Sequence, residues 1–184
     1  MNFKHFKKNR SILKFTGIVS KIYHKQFKGS TYEYVVLSDV ARVIAVTEKK
    51  KVILLKEKVF SFNKPYFSLP GGAVEENESP KLAALRELEE ETGYTSNDIE
   101  LWFSCNYSQT IISNKYFFIA RNCKKNGQIN LDLNEKIKVE ELNYKDFLNS
   151  VIKDEFKNTE IQNKFLKIKI SKKEEKDFKS LLKI

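Results

Sequence analysis

The stretch Gly72–Tyr94, GAVEENESPKLAALRELEEETGY, decides how this chain is read. Ser79-Pro80 marks a helix start, because serine caps well and proline suits the first helical position, where its missing N–H costs nothing. Lys81–Thr92 is rich in Leu, Ala, Glu and Arg, all good helix formers. Gly93 is placed to end the helix in a left-handed conformation. On that helix Glu87, Glu90 and Glu91 stand at i, i+3 and i+4, so their side chains emerge on one face, roughly 5–6 Å apart at Cβ. Like charges so placed destabilise a helix by about 0.2–0.5 kcal/mol per pair. They are also the ligand set that hard, oxygen-seeking cations such as Mg²⁺ or Mn²⁺ require. The plain alternative is a surface helix with solvated glutamates, which is how Glu89, Glu75 and Glu76 are read. Leu85 and Leu88 are expected to anchor the helix to a sheet. Pro70-Gly71-Gly72 is a strong break whose glycines let backbone carbonyls approach the helix.

Written as spacing, the stretch is Gly72, five residues, Glu78, seven residues, Arg86-Glu87-Leu88, one residue, Glu90-Glu91, one residue, Gly93 and Tyr94. This resembles the Nudix box, G-x5-E-x7-R-E-U-x-E-E-x-G-U, with every charged and glycine position filled. Tyr94 stands where an aliphatic residue is usual. The resemblance implies an α/β/α sandwich, an α/β (α+β) fold with a mixed central sheet. It implies an enzyme that hydrolyses a nucleoside diphosphate linked to another moiety, with Mg²⁺, or Mn²⁺, as cofactor. It further implies that Glu87, Glu90 and Glu91 bind metal together with the backbone carbonyl of Gly71, that Arg86 orients the glutamates through an ion pair, and that Glu78 partners them. From the residues alone, Arg86 also reads as a plain surface base and Glu78 as a carboxylate near a helix N-terminus.

The wider layout resembles the ADP-ribose pyrophosphatase branch of that family. A β region over Phe15–Leu37 is followed by SDVARVIAVTEKKKVILLKEKV from Ser38, the loop FSFNKPYFSLPGGAVEENE from Phe60, the box, and LDLNEKIKVEEL from Leu131. The resemblance implies a nucleotide-sugar substrate, ADP-ribose split to AMP and ribose 5-phosphate, and a homodimer formed through the N-terminal strands. It implies Glu135 as a late metal ligand or general base beside Glu90, with Glu140 and Glu141 as rivals read as solvated strand-end residues. Two departures stand out. Gln109-Thr110-Ile111 falls where the branch usually has a proline, and Lys56-Glu57-Lys58-Val59 where it tends to have Arg-Gln-Tyr-Arg. Lys56, Lys58 and Phe60 are candidates for phosphate contact or base stacking, against the reading of an exposed basic turn. Phe62, Tyr66 and Phe67 read as core ahead of base stacking. Rival substrates are GDP-mannose, dinucleoside polyphosphates and capped RNA. A non-catalytic nucleotide sensor is the other rival, but such a module has no need to keep like charges crowded together.

Charge distribution supports the same focus. The net charge is +10, yet residues 75–100 hold nine acids against two bases, leaving +17 on the rest of the chain. A dense carboxylate cluster in a basic protein calls for a bound cation or a solvated face. No nucleic-acid-binding motif accompanies the basic residues, so a nucleic-acid partner is not expected. With 41% apolar residues and 12% aromatics the chain can bury a real core. No apolar run follows the basic start Met1–Arg10, as a secretory signal would require, and no stretch approaches the length of a membrane span. Cys105 and Cys123 have no metal-ligand spacing. They read as two reduced thiols of a cytoplasmic protein, with a single disulfide as the alternative.

Outside the box, residues 1–14 read as a loose arm. Strands are expected over Phe15–Leu37 with a turn at Lys28-Gly29-Ser30, then over Ala41–Thr47 and Val52–Leu55 as adjacent core strands. Further strands are expected over Ile99–Tyr107, Lys115–Ala120 and Ile137–Leu142. Helices are expected over Tyr144–Phe156 and Glu160–Leu166, with a last one after a capping box at Ser171 and Glu174. The division that follows is an N-terminal arm and small β region over 1–37, the hydrolase domain over 38–170, and a C-terminal helix over 171–184.

Overall fold

The computed structural model describes residues 11–58, 64–106, 110–131 and 136–184. In chain order these form β1 (Ser11–Thr16), β2 (Ser20–Phe27), β3 (Ser30–Leu37), β4 (Val40–Thr47), β5 (Val52–Glu57), β6 (Tyr66–Ser68) and β7 (Gly71–Ala73). Helix α1 (Pro80–Thr92) follows, then β8 (Tyr94–Thr95), β9 (Asp98–Asn106), β10 (Ile111–Ile112), β11 (Asn114–Lys125) and β12 (Ile137–Leu142). The chain ends in α2 (Tyr144–Ser150), α3 (Thr159–Ile170) and α4 (Lys172–Leu182).

A small sheet runs in the order β1-β2-β3-β10. Its hairpin turns at Lys28-Gly29, both with positive φ (49° and 79°), the two-residue turn whose twist matches the flanking strands. The loose arm expected through residue 14 is instead strand from Ser11, paired antiparallel with β2. Its alternation is hard to read from sequence because the residues of β1 are exposed or half-exposed on both faces.

The larger sheet runs β12-β5-β4-β11-β8, with β6 on β5, β7 on β4 and β9 on β11. Strands β4 and β11 are parallel, while β4 and β5 meet antiparallel at Val46↔Val52, as expected of adjacent core strands. Period-two alternation divides its side chains between two cores. Ala41, Val43, Ala45, Ile53, Phe118 and Ala120 face Ala83, Ala84 and Leu88 of α1. On the other side Ile44, Val46, Leu54, Phe117 and Ile119 face Phe147 of α2, Phe165 of α3 and Phe178 of α4. Alanines on the α1 side let that helix approach the sheet closely; phenylalanines fill the wider gap opposite. Helices on both faces of a mixed sheet are the α/β/α sandwich that the sequence leads one to expect.

Helix α2 stops at Ser150, short of the Phe156 expected, because the following segment pairs with β6: Phe67 N–H donates to the Glu155 carbonyl and Lys157 N–H to the Phe67 carbonyl, both at 2.8 Å. Both cysteines are free thiols. No helix among the described residues is long and apolar enough to cross a membrane.

Candidate active site

Helix α1 starts and stops as its sequence dictates. Ser79 accepts from Leu82 N–H, Pro80 opens the helix, and Gly93 ends it at φ 70° with its N–H bonded to the Glu89 carbonyl. Burying Ala83, Ala84 and Leu88 against the sheet leaves the Glu87, Glu90 and Glu91 side along a cleft of about 440 Å³. The cleft lies against β4, β5 and β7 and is lined by Arg42, Glu57 and Gly71 as well as the three glutamates.

Arg86 is the hub of this cleft. Its Nε and Nη2 donate to the two Glu78 carboxylate oxygens at 3.0 and 3.1 Å, and its Nη1 donates to Glu87 and Glu90 at 2.9 Å each. Nη2 also donates to the Ala73 carbonyl at 3.0 Å. A planar, permanently charged fork serving three carboxylates relieves the repulsion that their spacing creates. The hydrogen bond from Arg86 holds Glu78 below the usual carboxylate range, and the Glu78 contact holds Arg86 still more firmly protonated. Burial pushes Glu87 up in spite of its bond to Arg86.

Glu91 is only 6% exposed. Burial pushes its carboxyl up to about 8, against the lowering effect of Arg42 and of the Gly71 amide, which donates to Glu91 Oε2 at 2.6 Å. Two glycines make this approach feasible. Gly71 has φ 136°, and a Cβ there would lie 2.1 Å from the Ala41 carbonyl oxygen. A Cβ on Gly72 would lie 2.3 Å from Glu87 Oε1, in the space that the Glu87 carboxylate fills.

The donors fit a divalent cation by their chemistry: three carboxylates and the Gly71 carbonyl are all hard oxygens. Among the described residues no three His, Cys, Asp or Glu side chains are already gathered round one point; the glutamates are held by Arg86 and the Gly71 amide. Burial raises the Glu91 carboxyl, and a cation beside it would favour its charged form. The Gly71 carbonyl accepts from Arg42 Nη1, and its second lone pair remains for another partner.

The structure therefore brings together Arg86, Glu87, Glu90, Glu91, Gly71 and Glu78. Lys56 and Lys58 fall elsewhere. Strand alternation puts Glu57 on the α1 face with Ile53 and turns Lys56 to the opposite face with Val52 and Leu54; Lys56 and Lys58, the latter just past the strand, line a shallow depression with Lys136 and Lys138. Phe60, Phe62 and Glu135 lie outside the described residues. Glu140 pairs with Lys138, and Glu141 accepts from the hydroxyl of Tyr94 at 2.6 Å. That bond satisfies the polar end of the aromatic ring standing at the aliphatic position, and Tyr94 is otherwise buried. Three cleft residues, Arg42, Glu57 and Asn130, escaped the sequence reading. Arg42, a lone cation in the apolar run Val40–Thr47, donates to the Leu69 carbonyl at 3.1 Å and to that of Gly71. Glu57 accepts from Tyr66 at 3.0 Å and from Ser68. The charge in a buried strand was the available sign for Arg42; counting alternation back to Ile53 was the sign for Glu57.

The model of the NUDIX domain matches residues 37–163. An ADP-ribose pyrophosphatase of Bacillus subtilis (strain 168) is 39% identical over 72 residues, a stretch covering 39% of this chain and 39% of that protein. A methanol dehydrogenase activator of Bacillus methanolicus is 33% identical over 106 residues, covering 54% of this chain and 55% of that protein. The matched stretches thus span between 39% and 55% of these relatives' length. A solved structure described as an ADP compounds hydrolase shares the fold, with a TM-score of 0.69 over 88% of this chain and 90% of its own, at 14% identity.

Proposed function

The chain belongs to the Nudix family, and from that premise we propose that it hydrolyses the diphosphate of a nucleotide sugar, with ADP-ribose split to AMP and ribose 5-phosphate. The observation that carries this reading is the convergence of Glu87, Glu90 and Glu91 of one helix on a single cleft, ordered by Arg86. The choice of ADP-ribose leans on the Bacillus subtilis relative that bears that activity in its name.

In this reading Glu87, Glu90, Glu91 and the Gly71 carbonyl would hold Mg²⁺, or Mn²⁺ in its place. Bound there, a divalent ion neutralises diphosphate charge and makes water a competent nucleophile near neutral pH. The chain supplies the rest by position. Arg86 fixes the rotamers of Glu87 and Glu90, and the Gly71 amide fixes that of Glu91. Glu90 has the most open carboxylate of the two that Arg86 holds on this face, 35% exposed against 16% for Glu87, and is the group placed to take a proton from an attacking water. Glu135, on the segment before β12, is the second candidate for that role. Arg42 offsets the charge of Glu91 and Glu87 from the sheet side.

The test is product analysis with Mg²⁺ on ADP-ribose, GDP-mannose, a dinucleoside polyphosphate and capped RNA, with Glu90→Gln and Glu91→Gln beside the unaltered chain. AMP release from ADP-ribose is expected, and each variant is expected to lose more than about 100-fold, beyond the 10–100-fold typical of groups that only support metal ligands. Turnover of capped RNA but not ADP-ribose replaces the substrate. Nucleotide binding without turnover of anything sinks the hydrolase.

We propose a homodimer contact on the small sheet, where Ile12, Leu13 and Phe15 of β1 are 48–58% exposed. Large apolar side chains left exposed on a strand are the kind that a contact would bury. Sedimentation as a monomer at micromolar concentration removes the dimer and leaves the hydrolase reading standing.

A further inference from the structure

The turn Leu69–Gly71 carries the backbone that meets Glu91, and it is wholly buried. All of its backbone polar groups are taken by partners distant in sequence. Leu69 N–H donates to Asn158 Oδ1 at 2.8 Å, and the Leu69 carbonyl accepts from Arg42 at 3.1 Å. The Pro70 carbonyl accepts from Val43 N–H at 2.8 Å, and proline has no N–H to satisfy. Gly71 N–H donates to Glu91 at 2.6 Å, and its carbonyl accepts from Arg42.

Asn158 is the unexpected member of this set. It stands at the start of α3, where an asparagine side chain ordinarily accepts an N–H from the first helical turn. Here it makes no such cap bond; its backbone is at φ −86°, ψ 64° and the residue is 8% exposed. The carboxamide oxygen is turned away from its own helix to Leu69. Glu155 and Lys157 already pair with Phe67 on the same edge, so the Asn158 side chain extends that ladder one step past the point where the chain turns into α3. The helix forgoes a cap, and the turn beside the cleft gains a fixed amide.

We infer that Asn158 is a positioning residue of the cleft: by pinning Leu69 it sets the path of Leu69–Gly71 and so aims the Gly71 amide at Glu91. This rests on the proposed role of Glu91 as a metal ligand. Groups that orient metal ligands typically change affinity 10–100-fold when lost. The experiment is Mn²⁺ titration of the full chain without nucleotide, by calorimetry or by loss of the free-ion paramagnetic resonance signal. It compares the unaltered chain with Asn158→Ala, Asn158→Gln and Asn158→Asp, and the thermal midpoint of each is recorded. Asn158→Ala is expected to weaken Mn²⁺ binding about 10-fold. Asn158→Gln keeps the amide but displaces its oxygen by a methylene, and is expected to weaken it likewise, so the proposal stays testable if the alanine variant fails to fold. Asn158→Asp restores an acceptor at the same place and is expected to return affinity close to that of the unaltered chain. An asparagine that merely braces α3 would lower the thermal midpoint and leave Mn²⁺ affinity of the folded variants unchanged; that result overturns the inference alone. Absence of Mn²⁺ uptake by the unaltered chain overturns it together with the proposed metal site.

Discussion

Helices α1 and α4 are made of similar ingredients. Each starts after a serine whose hydroxyl accepts an N–H three residues on, at 3.3 Å, and each is dense in charged side chains. Their fates differ. In α4 the charges stay in water: Lys179 and Glu175 pair at 2.8 Å with 42% and 34% of their side chains exposed, and only Phe178 and Leu182 are buried. Such a surface pair contributes about 0.3–0.5 kcal/mol. In α1 a glutamate is itself buried, two more share one guanidinium, and the helix lies over a cleft. Charge density alone therefore says little about function. What separates the two helices is convergence: α1 carries like charges toward one another and toward a low-dielectric wall, where water cannot screen them. The same contrast runs through the two cores, one built from alanines under α1 and the other from phenylalanines under α4.

If α4 serves packing and α1 serves chemistry, damage to the two should separate. The largest effect on stability is expected from Phe178→Ala. Phe178 is 3% exposed, with ring centroids 5.0 Å from Trp102, 6.1 Å from Phe165 and 6.4 Å from Tyr144. Truncating a buried phenylalanine costs about 3–5 kcal/mol, which urea unfolding followed by circular dichroism would register as a shifted midpoint. Turnover per folded molecule, read at a temperature where the variant stays folded, is expected to match that of the unaltered chain. A fall in that turnover would break the comparison, because it would tie the phenylalanine core to the cleft.

The separation also explains how much could be read in advance. Helix α1, its caps and its glutamate face were legible because every signal was local: Ser79-Pro80, the i, i+3, i+4 spacing and Gly93 all act within one helix. The ion pairing of Arg86 with the glutamates was implied by the resemblance to the Nudix box; from the residues alone Arg86 also read as a plain surface base. Strand β5 was legible as a wholly apolar run, since burial on both faces leaves an unbroken signature, and β4 as a run rich in β-branched residues. Arg42 and Asn158 were not, because what they do depends on partners far along the chain: Arg42 and Leu69 are 27 residues apart, Leu69 and Asn158 are 89; Glu57 was missed because the register of β5 was not counted. One step along β5 exchanges the cleft face for the other, so Glu57 lines the cleft while Lys56 stands on the opposite face. Strand β1 was missed because neither of its faces is buried.

A smaller free-energy effect, opposite in kind, is expected from Gly72→Ala. Gly72 lies at the end of the cleft where a methyl group would meet the Glu87 carboxylate, with Cβ 2.3 Å from Oε1 and 2.7 Å from Oε2. Its backbone is not in the left-handed region, so alanine is conformationally acceptable there, unlike at Gly71 with φ 136°. The clash is with the far end of a flexible side chain, so the fold can accommodate the methyl by moving Glu87. Stability is therefore expected to stay within about 1 kcal/mol of the unaltered chain. Moving Glu87, however, breaks its 2.9 Å bond to Arg86 and takes one carboxylate out of the converging set. Turnover is expected to fall about 10–100-fold, equivalent to about 1.4–2.7 kcal/mol, with Mn²⁺ affinity falling in parallel. Steady-state kinetics and Mn²⁺ titration on the same preparation decide it. Full activity in a variant shown by its crystal structure to have displaced Glu87 would mean that this carboxylate is dispensable, and that convergence on α1 involves Glu90 and Glu91 alone.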